Sequence, residues 1–211
     1  MRSQLFKFLF LCLLAFNVAC TNSGGENSSA ETTEAEPEAE VVATEETPVA
    51  ETMGNESYQI TVLKPDLPSP RKEMKGTIGD LEVTVNYGSP SMKGRELWGA
   101  LIPYGEVWRT GANEATTFEV TQDVMIEGQK LPAGKYALAT IPGEESWEII
   151  FNSQAEQWGA YEMDESKNVL KVSVSPKTSS TASETLDFKV EGDEVIMMWD
   201  KLAVPFNVSA S

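Results

Sequence analysis

The sequence contains no histidine, and its two cysteines, Cys12 and Cys20, both fall within the first twenty residues. Everything after residue 20 therefore lacks disulfides, His- or Cys-ligated zinc, Ser-His-Asp and Cys-His catalytic sets, and a histidine general base. Any catalysis there would rest on carboxylates, tyrosine, lysine or arginine. Basic residues are scarce as well, 16 against 33 acidic ones, for a formal net charge of −17. No basic stripe exists to track phosphates, which argues against nucleic acid as a partner and against direct docking on anionic lipid. No Asp-rich calcium loop of EF-hand type occurs, and no pattern implies a metal or other cofactor. Long apolar runs are also missing. The longest candidate, residues 8–16, is far shorter than the ~20 residues that span a membrane as a helix.

That short run reads instead as an export signal. Arg2 and Lys7 form a basic start, the apolar stretch follows, and Ala19 precedes Cys20. A small residue before cysteine reads as a lipoprotein cleavage site, which would make Cys20 the lipidated first residue of the mature chain. Asn17 departs from that pattern, which usually has leucine there; ordinary cleavage with Cys20 incidental is the alternative reading. Residues 21–57 carry ten glutamates, no lysine or arginine and no aromatic residue. Such a segment buries too little apolar surface to offset its ordering entropy, so a disordered tether is expected. Its random-coil reach is about 35 Å. The expected organisation is a signal peptide over residues 1–19, a lipidated cysteine and acidic tether over 20–57, and one folded domain over 58–211. The expected location is the cell envelope, anchored to a membrane through lipid on Cys20. Thr21, in place of an aspartate that retains lipoproteins at the inner membrane, points to the outer one.

Residues 58–211 carry a net charge of −9 and read almost throughout with a period of two. Tyr58, Ile60 and Val62 alternate with polar residues, as do Leu81, Val83, Val85 and Tyr87, Leu170, Val172 and Val174, and Leu186, Phe188 and Val190. Gly79-Asp80 and Gly192-Asp193 are hairpin signals. Residues 127–134 and 176–183 read as turn and polar loop, residues 155–161 as a helical turn or a loop with Trp158 tucked inward, and Pro205 as the mark of an edge strand. About ten short strands with no long helix predict an all-β fold, an antiparallel β-sandwich with jelly-roll-like crossing. Strand order is not readable.

One stretch breaks the pattern. Residues 93–116, KGRELWGALIPYGEVWRTGANEAT, are interrupted by Gly94, Gly99, Gly105 and Gly111. At most one or two helical turns fit, over residues 95–101, ended by Pro103. With Pro90-Ser-Met-Lys-Gly-Arg95 before it, Leu131-Pro-Ala-Gly134, Tyr136, Ile141-Pro142 and Trp147 after it, and later Glu184 and the Trp199 strand, this stretch resembles the signature of the bacterial family called domain of unknown function 2911. The resemblance spans roughly residues 68–208, with VWRTGANEAT as its most specific part. It implies a secreted or lipid-anchored protein of Bacteroidetes-like bacteria and implies no activity.

The candidate ligand-binding residues are Arg95, Trp98, Tyr104, Trp108, Arg109, Asn113, Glu114 and Thr116. Each has a plainer structural reading. Arg95 and Arg109 can fork onto a ligand carboxylate, or onto Glu96, Glu106 or Glu114 to hold the loop in shape. Aromatics can wall a groove for sugars, or fill a core; Trp147 and Trp199, in alternating strands, read as core, Trp108 and Tyr104 as surface. Asn113 and Thr116 can bind a ligand, or bond local backbone. Three functions stay open: a non-enzymatic module binding a small or glycan-like ligand, a structural or assembly lipoprotein with the stretch as a packed plug, and a carboxylate-dependent hydrolase using Glu106 and Glu114.

Overall fold

A computed structural model of the chain describes residues 53–55, 57–160 and 163–211. The expected export signal, Cys20 and the expected tether up to residue 52 lie outside the described residues. The described chain is all-β, with two antiparallel sheets packed together and not closed into a barrel. Its strands are β1 (Met53–Asn55), β2 (Tyr58–Lys64), β3 (Arg71–Ile78), β4 (Leu81–Gly88), β5 (Thr116–Val120), β6 (Val124–Ile126), β7 (Gln129–Leu131), β8 (Gly134–Ile141), β9 (Trp147–Asn152), β10 (Asn168–Val174), β11 (Lys177–Glu191) and β12 (Glu194–Ala210). A 3-10 turn, Glu165–Lys167, is the helical element among the described residues. The large sheet runs β1-β2-β3-β4-β5-β8-β9-β10 and the small one β11-β12-β6-β7. The chain therefore crosses between sheets after β5, β7 and β10.

The predicted alternation is met where one face is buried. In β3, Lys72, Met74, Gly76 and Ile78 are buried, and in β4 so are Leu81, Val83, Val85 and Tyr87. Gly76 is needed for packing: a Cβ there would lie 2.5 Å from a methyl of Val190.

Four expectations fail, each for a readable reason. The sheet starts at Met53, before the expected boundary at Tyr58, because Met53–Asn55 pair with Ile60–Tyr58. Residues 177–183 are strand, not loop. They are largely exposed, so they show no apolar alternation, and the register slips between Thr178 and Ser183 opposite β12. The turn expected over residues 127–134 forms at Glu127 and Gly128 but is followed by β7, which the polar, exposed Gln129 and Lys130 hide from the apolar pattern. Finally, β12 is not an edge strand: β11 flanks it up to Ala203 and β6 from Val208, and Pro205, which has no N–H to donate, sits in the interval between.

A buried polar cluster joins the sheets. Lys72 Nζ donates to Asp187 Oδ1 at 2.7 Å, Tyr87 Oη donates to the same oxygen at 3.0 Å, and Thr185 Oγ1 donates to Asp187 Oδ2 at 2.8 Å. Burial first, then the Asp187 charge, pushes the Tyr87 phenol far above the ordinary tyrosine range, so it stays a donor.

Candidate functional site

The Gly-rich stretch fastens to both sheets. At its entrance, residues 89–93 run alongside β11. Ser89 Oγ donates to Leu186 O at 2.7 Å, Leu186 N to Pro90 O at 3.0 Å, and Met92 N to Glu184 O at 2.8 Å. Glu184 also takes the Lys93 N–H on Oε1 at 2.8 Å and the Trp199 indole N–H on its carbonyl at 3.3 Å. Farther along, Trp108 pairs with Thr140 of β8, N to O at 2.7 Å and O to N at 2.8 Å. Strand β5 begins only at Thr116, opposite Leu138, so Trp108 takes the ladder position on β8 that β5 does not reach. Thr110 Oγ1 bonds Thr140 Oγ1 at 3.1 Å, and Thr116 Oγ1 donates to Thr110 O at 2.9 Å.

Between these fastenings no helix forms. Leu101 N and Ile102 N bond the carbonyls of Glu96 and Leu97, five residues back. Gly99, at φ 80°, turns the chain so that Trp98 and Ile102 bridge. The expected helical turns over residues 95–101 are thus replaced by a closed loop. Gly88 and Gly111 let the entrance and exit approach: a Cβ on Gly88 would lie 2.1 Å from Ala112 O.

The stretch delivers Trp98 and Trp108 to Trp147 of β9 and Trp199 of β12. Trp98 lies edge-on to the other three at 5.1–6.0 Å between centroids, and Trp108 stacks on Trp199 at 6.0 Å with 19° between planes. Four of the five tryptophans thus fill one place between the sheets. Trp108 is core, 9% exposed, and not the surface residue expected, because the bridge to Thr140 holds its ring inward. Trp158, which one of the two readings of residues 155–161 tucks inward, is 58% exposed.

Over this cluster lies a cleft of about 430 Å³ lined by residues including Arg95, Arg109, Glu106, Ile102, Trp108 and Trp199. Arg95 is exposed and held by its own backbone, Nε donating to Met92 O at 3.0 Å and Nη2 to Ser91 O at 2.7 Å. Arg109 is half-buried; its Nη1 donates to Asn113 O at 3.3 Å, and Gly159 lies against its guanidinium.

The family model for the protein family described as "Protein of unknown function (DUF2911)" matches residues 69–208. The chain belongs to the DUF2911 family. No curated protein and no solved structure matches it.

Of the eight candidates in this DUF2911 domain, Arg95, Trp108 and Arg109 line the cleft; the other five are not part of its wall. Trp98 belongs to the indole cluster. Tyr104, 40% exposed, covers Gly99. Asn113, at φ 64°, donates to Ser69 O at 3.3 Å, and Thr116 is fully buried in its bond to Thr110. The Glu114 carboxylate lies 3.8 Å from Lys64, and its carbonyl accepts from Arg71. Glu106 lines the cleft and Glu114 does not, so the pair a hydrolase would need is not assembled there.

Arg71 is the residue missed. It donates to the carbonyls of Glu114 and Ala115 at 3.4 and 3.2 Å, and burial lowers its pKa, partly countered by Glu114. The signal was in the composition. Arg71, Arg95 and Arg109 are the only arginines after residue 2, and all three bind carbonyls of this stretch or of the residues leading into it.

Proposed function

We propose that this DUF2911 protein is a non-enzymatic binding module, displayed at the cell envelope, that holds a small or glycan-like ligand in the cleft beside residues 93–116. The observation that carries this reading is the cleft itself: an apolar floor with an indole beneath it and two guanidinia among its walls, the usual composition of a small-molecule site. Titration of the full chain with envelope glycans and small acids, followed by tryptophan emission, tests it. A saturable change is expected because Trp108 and Trp199 line the cleft and pack on two further indoles. If no compound in such a set moves either the emission or the melting midpoint, the reading fails.

A packed plug is the second reading, favoured by the four-indole cluster and by arginine donors spent on backbone carbonyls. Arg109→Ala separates the two. A plug loses about 3–5 kcal/mol of stability if the guanidinium clamps a buried carboxylate. An open site loses ligand with a smaller stability change.

Display at the envelope, on the outer membrane, rests on Ala19-Cys20 and the acidic tether. Metabolic labelling with a palmitate analogue is expected to mark the wild type and not Cys20→Ser. Equal labelling of both would exclude the anchor.

A further inference from the structure

Lysines and arginines are used differently in this domain. The ion pairs found among the described residues all use lysine: Lys64, Lys72, Lys75, Lys130, Lys167, Lys171, Lys177 and Lys189 each face an aspartate or glutamate. Arg71 and Arg95 instead donate to carbonyls. A carbonyl fixes a guanidinium in place without neutralising it. Arg95 is the clearest case. Two of its five donors are spent on Met92 O and Ser91 O, and among the described residues it has no carboxylate partner. Its side chain is held from one edge, which cuts the entropy a ligand must overcome to use the rest of the fork.

Arg95 and Arg109 line the same cleft, with Glu106 as the one carboxylate side chain among the described residues of its wall. Residues 58–211 carry −9 overall, so the Arg95 guanidinium stands in a recess of an otherwise acidic domain. A recess with low-dielectric walls concentrates that field. Ile102, Leu101 and Pro103 supply apolar surface beside the two cations.

We infer that the ligand carries a carboxylate, taken by Arg95 with Arg109 beside it, and that its less polar body lies over Leu101, Ile102 and Pro103. This rests on the binding-module reading and narrows its ligand class. Two sources present this chemistry, a uronic-acid glycan and a free organic acid.

The test titrates the full chain with trigalacturonic acid, with its methyl ester, and with benzoate. The ester keeps shape and hydroxyls and removes only the charge. We expect the acid, benzoate or both to bind. Esterification should weaken trigalacturonate by about tenfold or more, as loss of a charge-assisted fork implies. Arg95→Gln should weaken the acids by a similar factor and leave the melting midpoint in place, whereas Arg95→Lys should recover only part of the loss. Binding by benzoate alone assigns the site to free acids, and by trigalacturonate alone to acidic glycans. An ester that binds as tightly as the acid overturns the carboxylate inference and leaves the cleft reading standing. Indifference of the acids to Arg95→Gln also overturns the inference. If none of the three binds, the inference falls; if neutral envelope glycans also fail, the cleft reading falls with it.

Discussion

The two sheets meet in two chemically opposite ways. Around Lys72, Tyr87, Thr185 and Asp187 they are joined by charge and hydrogen bonds. Both oxygens of the buried carboxylate have donors, and each donor comes from a different residue. Around Trp98, Trp108, Trp147 and Trp199 they are joined by indoles, and there the polar accounting is incomplete. The indole N–H groups of Trp98 and Trp147 are buried without an acceptor among the described residues. A satisfied polar cluster tolerates little change, since a half-satisfied one is worse than an apolar core. A ring cluster tolerates small shifts, because dispersion and edge-to-face contacts are broad. The first region sets how the sheets align. The second is the more adaptable wall, and it is the one beneath the cleft.

The largest effects should come from breaking either region, and they should differ in whether they can be rescued. Asp187→Ala strands the Lys72 ammonium and is expected to cost about 3–5 kcal/mol in urea unfolding. Trp147→Ala is expected to cost about as much by leaving a cavity, roughly 3–5 kcal/mol. The triple change Lys72→Met, Tyr87→Phe and Asp187→Leu should restore stability to near wild type, because apolar groups of similar size replace a desolvated ion pair and the phenol that would otherwise lose its acceptor. No single second substitution should do this for Trp147→Ala. An Asp187→Ala protein within about 1 kcal/mol of wild type would show that the charge cluster does not hold the sheets.

A smaller effect separates the phenol from the ion pair. Tyr87→Phe removes one of three donors to Asp187 and should cost about 1.5 kcal/mol at neutral pH. It should also change the alkaline limb. The folded-state pKa of Tyr87 is raised, so its contribution is fully present below the unfolded value of about 10 and is lost as pH rises beyond it. Between about pH 10 and 12 the wild type should therefore lose more stability than Tyr87→Phe. Parallel stability curves over that interval would contradict burial of the phenol.

The smallest effect tests whether anything outside the two regions matters. A chain beginning at Met53 should melt like the full chain. One beginning at Tyr58 loses β1, which is only three residues at the sheet edge. Its midpoint should fall by no more than about 2–4 °C, corresponding to ~1 kcal/mol. A larger drop would make β1 a third element of the sheet contact.

Alternation made β4 and β10 legible, because each buries one face against the other sheet, and the Gly-Asp pairs marked two hairpins. Asp187 shows where that logic stops. It alternates with Leu186 and Phe188, a pattern that points its side chain to solvent, yet it is buried. Its strand is the edge of the small sheet, and β3 supplies the ammonium and β4 the phenol that cover it. Period two describes one sheet and cannot say what a second sheet covers. The same limit applies to the candidate site. Composition drew attention to residues 93–116, and Arg95, Trp108 and Arg109 do line the cleft. Whether Trp108 points in or out depends on a backbone bridge to Thr140, far along the chain, and nothing in VWRTGANEAT encodes that partner.

The position of β1 has a mechanical consequence. It is the outermost strand of the large sheet and the first strand among the described residues. Any pull transmitted along the residues before Met53 reaches β1 first, where the bonds of a three-residue strand can break in succession. The load then falls on β2, whose register with β3 runs from Tyr58–Gly76 to Lys64–Arg71. Lys72 and Tyr87 lie deeper in the sheet, on β3 and β4, and Trp147 deeper still, on β9. Under tension the domain should therefore yield in order, shedding its outer edge as a short extensible segment while the cleft and both inter-sheet contacts keep their shape.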